Sequence, residues 1–441
     1  MNRSANEAAR PDSLRREIGV FGAVMLGLGS IIGTGVFVSI GVAAATAGPS
    51  VILAIVVAAG VATCNALSSA QLAATYPVSG GTYEYGYETL HPALGFTAGW
   101  MFLCAKSASA ATAALGFSGY LLHATGWRDE LPLTPLAVAA TIVLTAVVAS
   151  GMRRSNLANV LIVSIALLAL VLFIAAGLPA VAKAGTRNFV PFFGAGAKAG
   201  GALGGFLEAT ALMFVAYTGY GRIATLGEEV REPRSTIPRA IVATLVVSAL
   251  LYAAVGAVAV GAVGAGRLGA ATDGQAAPLE IVARDLAVPG LAWAVAIGAV
   301  AAMLGVLLNL ILGLSRVLLA MGRRGDMPRA VARLDRSRST PWVAVITVGA
   351  IIVALATIGS VRLTWSFSAF TVLIYYAITN LCALRLRPEE RLYSRGYAWV
   401  GLLSCLFLAF WVEWRVWLAG IGITALALGA HTFARRRRER S

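Results

Sequence analysis

The sequence predicts an all-α integral membrane protein of twelve transmembrane helices, built as two inverted five-helix repeats and a final pair. Three observations predict it. Only 12% of the 441 residues are charged and 59% are hydrophobic, where soluble domains carry about 25% charged residues. From Ile18 to Thr82 there is no Asp, Glu, Lys or Arg. The first and sixth apolar runs carry the same Gly/Thr interruption in their interiors.

Cutting the chain at polar and Pro/Gly breaks gives spans at 18–45, 51–75, 93–125, 133–151, 157–180, 202–228, 238–262, 287–321, 341–359, 363–386, 396–412 and 415–434. These are lengths suited to a hydrocarbon core about 30 Å thick. The charge-free run at the start reads as two spans joined by Ala47–Ser50, too long for a cleaved signal peptide. With the N-terminus inside, and Arg239, Arg385 and Arg415 at span ends counted with the adjoining segments, the inner segments hold 24 Lys and Arg and the outer loops 8, with Lys106, Arg222 and Arg316 left deeper inside spans. That bias predicts both termini cytoplasmic, in the cell (inner or plasma) membrane. The chain then divides into a cytoplasmic tail (1–17), a first repeat (18–180), an extracellular loop (181–201), a second repeat (202–386), helices 11 and 12 (387–434) and a basic tail (435–441).

The interruption in the first run reads Gly-Leu-Gly-Ser-Ile-Ile-Gly-Thr-Gly-Val-Phe, Gly27 to Phe37. Each glycine costs a helix about 1 kcal/mol against alanine. Backbone freed in lipid is tolerated only where protein or a watered cavity satisfies it. Freed N–H groups can hold a carboxylate, and freed carbonyls an ammonium or cation. The sixth run repeats the device in Phe214 to Arg222, where Thr218-Gly219 echoes Thr34-Gly35. Five spans per repeat force opposite orientations, and matching breaks in inverted repeats point to a substrate site.

Other functions lack their residues. The four cysteines lie in apolar segments without metal-ligand spacing, and the three histidines fall near span ends. No acid/base or nucleophile set converges within the spans, so no enzyme is expected. No phosphate-binding Gly-x-x-x-x-Gly-Lys-[Ser/Thr] occurs, so movement of a substrate must draw on a gradient or on exchange. The net charge of +15 flanks the spans rather than forming a basic module. The expected partners are therefore the bilayer and a small molecule, with no nucleic acid.

Ionisable side chains inside spans are functional candidates because each costs about 2.5–3.5 kcal/mol on insertion scales. Lys106 falls some 14 residues past His91-Pro92, about 21 Å into the membrane, and shares a helix face with Ser109 and Ala110. Glu208 precedes the sixth-span break on its outer side. Arg222 and Arg316 lie toward the inner face, where Glu228 and Glu229 are candidate partners.

Several ordered stretches resemble the amino acid–polyamine–organocation transporters. They are Gly29–Phe37, Tyr76–Tyr83 (Tyr-Pro-Val-Ser-Gly-Gly-Thr-Tyr), Ala216–Pro233 and Ser315–Pro328, and the resemblance covers nearly the whole chain. It implies an amino acid permease with the leucine-transporter-like 5+5 inverted-repeat fold, broken helices 1 and 6, and alternating access. The substrate carboxylate would dock on the first break, here Ser30, Ile31, Gly33, Thr34 and Gly35. The ammonium would meet carbonyls of the second break, here Phe214, Val215 and Thr218, beside Gly219. Phe214 or Tyr217 would shield the site.

Two departures bear on energy coupling. The fifth-span pattern fits at Asn159 and Val163, but the lysine of proton-linked members falls on Ala166. The eighth span offers Asn309 as the only polar side chain in Gly305–Leu314, where sodium-coupled relatives place two hydroxyls. Lys106 is then expected to brace the first span near Gly29–Gly33 and to carry a coupled proton or replace a missing cation. No cofactor is expected beyond a coupled proton or sodium ion. With no clear carboxylate facing the pocket, neutral amino acids are the expected substrates. Glu208 keeps cationic amino acids or polyamines as the alternative, and a channel or receptor is the alternative from another class.

Overall fold

The structure, a computed structural model, describes residues 18–76, 80–127, 130–151, 156–193, 201–224, 230–272, 276–334 and 340–440. Among them the secondary structure is helical, apart from one isolated parallel bridge between Ile18 and Val230. The first expected span forms three pieces: α1 (Val20–Ile31), α2 (Thr34–Phe37) and α3 (Ser39–Ala47). There follow α4 (Val51–Thr75), a short α5 (Thr82–Thr89), α6 (Pro92–Thr125), α7 (Leu133–Ala149) and α8 (Asn156–Ala184). The sixth expected span is α9 (Gly201–Tyr217), a 3-10 turn (Thr218–Tyr220) and α10 (Gly221–Ala224). Beyond it run α11 (Pro233–Val263), α12 (Ala265–Ala270), α13 (Pro278–Asp285), α14 (Leu291–Arg324), α15 (Trp342–Ala356), α16 (Val361–Leu384), α17 (Arg395–Ala409) and α18 (Trp414–Arg440). Among the described residues, seven helical stretches are long and apolar enough to cross a membrane.

The outer face of the bundle is apolar, as lipid requires. On α8, Leu157, Leu161, Ile165, Leu168 and Leu172 are all exposed along one stripe, while Asn159, Val163, Ala166, Leu170 and Phe173 are buried on the other. The 3.6-residue period of the helix separates the two sets. The centre belongs to α6 and α16. Small residues from Ala105 to Ala114 let α6 come close, and hydroxyl pairs seal the seam: Ser109 to Ser368 and Thr112 to Thr364, each 2.7 Å.

The two breaks meet face to face in this centre. A Cβ built on Gly219 would lie 2.4 Å from the carbonyl oxygen of Ser30 and 2.5 Å from its carbon. The main chains of α1 and the 3-10 turn thus touch without an intervening side chain. The two breaks differ in kind. At the first, Ile32 and Gly33 are extended (φ −77°, ψ 104° and φ 174°, ψ −120°). At the second, the chain tightens into a 3-10 turn and never leaves helical conformation. The glycine-rich run could unwind. Thr218-Gly219-Tyr220, hemmed by buried aromatics, could only tighten.

The contact at Gly219 is backbone, which cannot swing aside. Gly219→Ala is therefore expected to cost about 1–3 kcal/mol through overpacking. Gly313→Ala on α14, where nothing lies within 4 Å, should be neutral or stabilising by up to about 1 kcal/mol. Thermal unfolding of the two variants in detergent measures the difference.

Candidate functional site

Between the breaks lies a cavity of about 40 Å³. By this measure a water needs about 10–15 Å³, so there is room for a few waters and not for an amino acid. From the first break it is lined by Ser30, Ile31, Thr34 and Gly35, and from the second by Val215, Ala216, Thr218 and Gly219. Lys106 and Ser109 of α6, Val306 and Leu310 of α14, and Trp365 of α16 complete the wall. Among these residues Lys106 is the one charged side chain.

Each polar wall group has a traceable role. Thr34 and Gly35 open α2, and N–H groups in a first helical turn have no intrahelical acceptor. The Thr34 hydroxyl is buried without a hydrogen-bond partner. Lys106 Nζ donates to Thr218 Oγ1 at 2.8 Å, and Thr218 Oγ1 donates to the Val215 carbonyl at 2.7 Å. Tyr252 spans both breaks, its hydroxyl 2.7 Å from the Ile31 carbonyl and 3.4 Å from that of Ala216. The Tyr376 hydroxyl reaches the Thr218 carbonyl at 3.4 Å, and the indole of Trp365 donates to the Leu212 carbonyl at 3.0 Å.

Several sequence expectations meet here and others do not. Ser30, Ile31, Thr34, Gly35, Val215, Thr218, Gly219 and Lys106 share one cavity. Gly33 does not line it. A Cβ there would meet Val306 Cγ2 at 2.7 Å, so this glycine serves close approach to α14. Phe214 is fully buried edge-on to Tyr376, its ring centroid 5.7 Å away. The Tyr217 hydroxyl turns away to the Ile55 carbonyl at 3.2 Å. Asn309 lies on α14 between wall residues without joining them. Glu208 is buried with Arg362 at 3.6 Å, so its charge is partnered. Lys106 hydrogen-bonds the second break rather than the Gly29–Gly33 stretch of the first.

Other expected relations resolve similarly. Asn159 holds the first span directly, donating to the Met25 carbonyl at 2.9 Å. Ala166 is fully buried where α8 meets α14, its backbone close to Gly298. Glu228 and Glu229, the expected partners of Arg222 and Arg316, lie outside the described residues.

Sequence reasoning missed two polar clusters that tie helices together away from the cavity lining. In one, Tyr83 and Tyr87 of α5 each donate to Asp326 Oδ2 at 2.6 Å, and His431 Nε2 of α18 lies 3.0 Å from Asp326 Oδ1. Arg324 pairs with Glu84 and sits 4.2 Å over the Tyr87 ring. Burial pushes the Glu84 carboxyl up against the pull of Arg324, and pushes the Tyr83 phenol up further, with help from Asp326. In the other, Tyr120 donates to the Phe37 carbonyl at 2.6 Å and accepts from the Leu279 N–H at 3.1 Å. There the fully buried Glu280 of α13 meets Arg284 and has His123 at 2.7 Å. Tyr83 and Asp326 fall inside the quoted motifs, but no spacing rule pairs residues so far apart in sequence.

Comparison with known proteins agrees on the family. Residues 22–435 match the family "Amino acid permease". A Mycobacterium tuberculosis protein named only as an uncharacterized transporter is 40% identical over 431 residues, 98% of this chain and 94% of its own. The branched-chain amino acid permease BcaP of Bacillus subtilis is 30% identical over 427 residues, covering 91% and 89%. The methylthioribose transporter of the same organism is 28% identical over 444 residues, covering 93% of each chain.

Removing the Lys106 partner tests the local geometry. Thr218→Val keeps the volume and deletes the acceptor, leaving a buried ammonium short of one hydrogen bond at a cost of about 1.5–3 kcal/mol. A fall in thermal stability of that order is expected, together with its disappearance when Lys106→Met is combined with it, since the paired apolar replacement removes the unsatisfied charge.

Proposed function

The chain belongs to the amino acid permease family, and on that premise we propose that it is a secondary transporter of neutral amino acids working by alternating access. The observation that carries this reading is the composition of the cavity between the two breaks. It offers an unpartnered buried hydroxyl on Thr34 and first-turn N–H groups beside it, with one cation, Lys106, and no carboxylate. A carboxylate finds donors at Thr34 and Gly35. An ammonium finds carbonyls at the second break.

The same composition weighs against cationic amino acids and polyamines. A second positive charge would enter a low-dielectric cavity beside Lys106, and like charges there repel by several kcal/mol at an effective dielectric of about 20. Glu208, which could have attracted such substrates, is already paired with Arg362. Val306, Leu310, Val215 and Trp365 supply an apolar wall for an aliphatic side chain. The relative BcaP, named for branched-chain amino acids, is in keeping with this choice. A channel is disfavoured because a cavity of about 40 Å³ is too small to serve as a standing pore for an amino acid.

Within this reading the twelve spans form two inverted repeats of five plus a pair, with both termini in the cytoplasm of a cell-membrane protein. Lys106 is the permanent occupant of the place a coupling cation takes. Its ammonium ties α6 to the second break and replaces both the absent fifth-span lysine and the absent hydroxyls of α14. Transport should then need no sodium, and its pH dependence should depend on Lys106.

Three measurements test this. Purified protein in proteoliposomes is expected to take up leucine, isoleucine, valine or alanine in preference to arginine, lysine or putrescine; preference for a cation would overturn the assignment. Thr34→Ala should weaken the apparent affinity about tenfold, the value of one hydrogen bond to a charged group. Lys106→Ala at equal surface expression should lose transport or flatten its pH profile, and an unchanged rate and profile would make Lys106 structural only. Orientation is read by single-cysteine labelling in intact cells. The exposed Ala270 at the end of α12 should react with an impermeant reagent and the exposed Glu389 should not. Thr272 is buried against Gly41 and would be a poor reporter, while Ser337 lies outside the described residues.

A further inference from the structure

We propose that the groove framed by the start of α6, the end of α16 and the start of α17 binds one anionic glycerophospholipid, phosphate on two arginines and an acyl chain along the leucines. The groove has a volume of about 490 Å³, and its wall is Leu90, Leu94, Leu381, Leu384 and Trp399, with Arg385 and Arg395 the two polar members. It is separate from the central cavity and shares no residue with it. The inference does not rest on the substrate assignment.

The arginines carry the argument. Arg267, Arg284, Arg324 and Arg362 each have a carboxylate partner, whereas others such as Arg187 and Arg239 make no ion pair among the described residues, so what distinguishes Arg385 and Arg395 is that both line one groove. Nearby Arg391 is spent on the Leu386 carbonyl, with bonds of 3.0 and 2.6 Å. Among the described residues Arg385 and Arg395 make no ion pair, yet they converge on one groove from two helices. Arg385 caps the end of α16 and Arg395 opens α17, so both guanidinium groups sit at helix-end level, where headgroups lie. Two planar guanidinium groups match a phosphodiester bidentately, which a single positive point charge cannot do.

The rest of the wall selects a lipid over a free anion. Four leucines give an apolar floor that inorganic phosphate would leave bare. Trp399 is half exposed at the groove rim, the position interfacial tryptophans take at headgroup depth. A zwitterionic headgroup would bring its own ammonium against the two arginines, so the groove favours a lipid with net negative charge. In a multi-pass membrane protein that lipid is always at hand.

The test is thermal unfolding of the full chain in phosphatidylcholine nanodiscs with and without phosphatidylglycerol. Native mass spectrometry of retained phosphatidylglycerol provides a second readout. Phosphatidylglycerol should raise the midpoint and remain bound one per chain, and inorganic phosphate should do neither. R385Q/R395Q should abolish both effects, and R385K/R395K, which keeps the charge without the fork, should reduce retention. Leu384→Trp, which fills the groove and leaves both arginines, should also abolish retention. Replacing Arg435–Arg438 by glutamine should leave it intact. Retention that survives R385Q/R395Q or Leu384→Trp, or that follows the Arg435–Arg438 replacement instead, would overturn the site and reduce the effect to diffuse surface charge. If R385Q/R395Q fails to fold, Leu384→Trp and R385K/R395K decide alone.

Discussion

The constraint on which the molecule depends is that backbone groups freed inside the bundle must find partners there, since hydrocarbon offers none. The two breaks are bearable because they face each other and because long side chains reach across to them. Tyr252 donates to Ile31, Tyr376 reaches Thr218, Asn159 donates to Met25, Trp365 to Leu212 and Tyr120 to Phe37. All five acceptors are main-chain carbonyls on or beside the interrupted helices, and all five side chains are buried. Fully buried tyrosines are costly unless their hydroxyls are paired. Here that pairing is what fixes the broken spans in place.

Lys106 follows from the same constraint. A buried ammonium in a membrane needs acceptors, and continuous helices leave none over. The 3-10 turn at Thr218–Tyr220 gives it the Thr218 hydroxyl, itself anchored on the Val215 carbonyl. At the second break Lys106 takes the Thr218 hydroxyl, while the Tyr376 and Tyr252 hydroxyls each lie 3.4 Å from a carbonyl that has a second lone pair to offer. At the first break the Thr34 hydroxyl has no partner. The two halves of the site are therefore unequal. The extended first break keeps donors in reserve, and the tightened second break is already braced by a resident cation.

Much of this was legible in the sequence, for physical reasons. Hydropathy and length locate helices in a membrane because no other open structure satisfies the backbone there, and most described residues of the expected spans are helical. Glycine placement marked the stretch of the first break, since the non-helical pair Ile32–Gly33 falls within Gly27–Phe37. Composition marked Lys106, because a charge so far from any span end has few explanations. What the sequence hid was direction and distance. A face of α6 could be assigned to Lys106, but whether it reached the first break or the second depended on how α6 packs against α16. Gly33, read from its motif as a binding glycine, also lies close against Val306. Asp326 and His431 are 105 residues apart, and no local pattern announces that they meet.

The two polar clusters give the proposed cycle its physical form. At one, Asp326 accepts from two tyrosines of α5 and lies beside His431 of α18, so three elements are tied through one carboxylate. At the other, Tyr120 links the end of α2 to the start of α13, and Glu280 gathers His123 and Arg284. Each cluster joins elements that must part if the cavity is to open on its side, and each is a set of short polar contacts that water can replace. A hydrophobic seal of equal area would lose burial on opening and gain nothing in return. A polar seal exchanges protein hydrogen bonds for water ones at a net cost of about 0.5–1.5 kcal/mol each. Such a difference is small enough to cross thermally and large enough that opening both ends together, which would cost the two sums at once, is the least populated state. If the proposed alternation operates, two polar clusters of this kind would serve it without a dedicated lock.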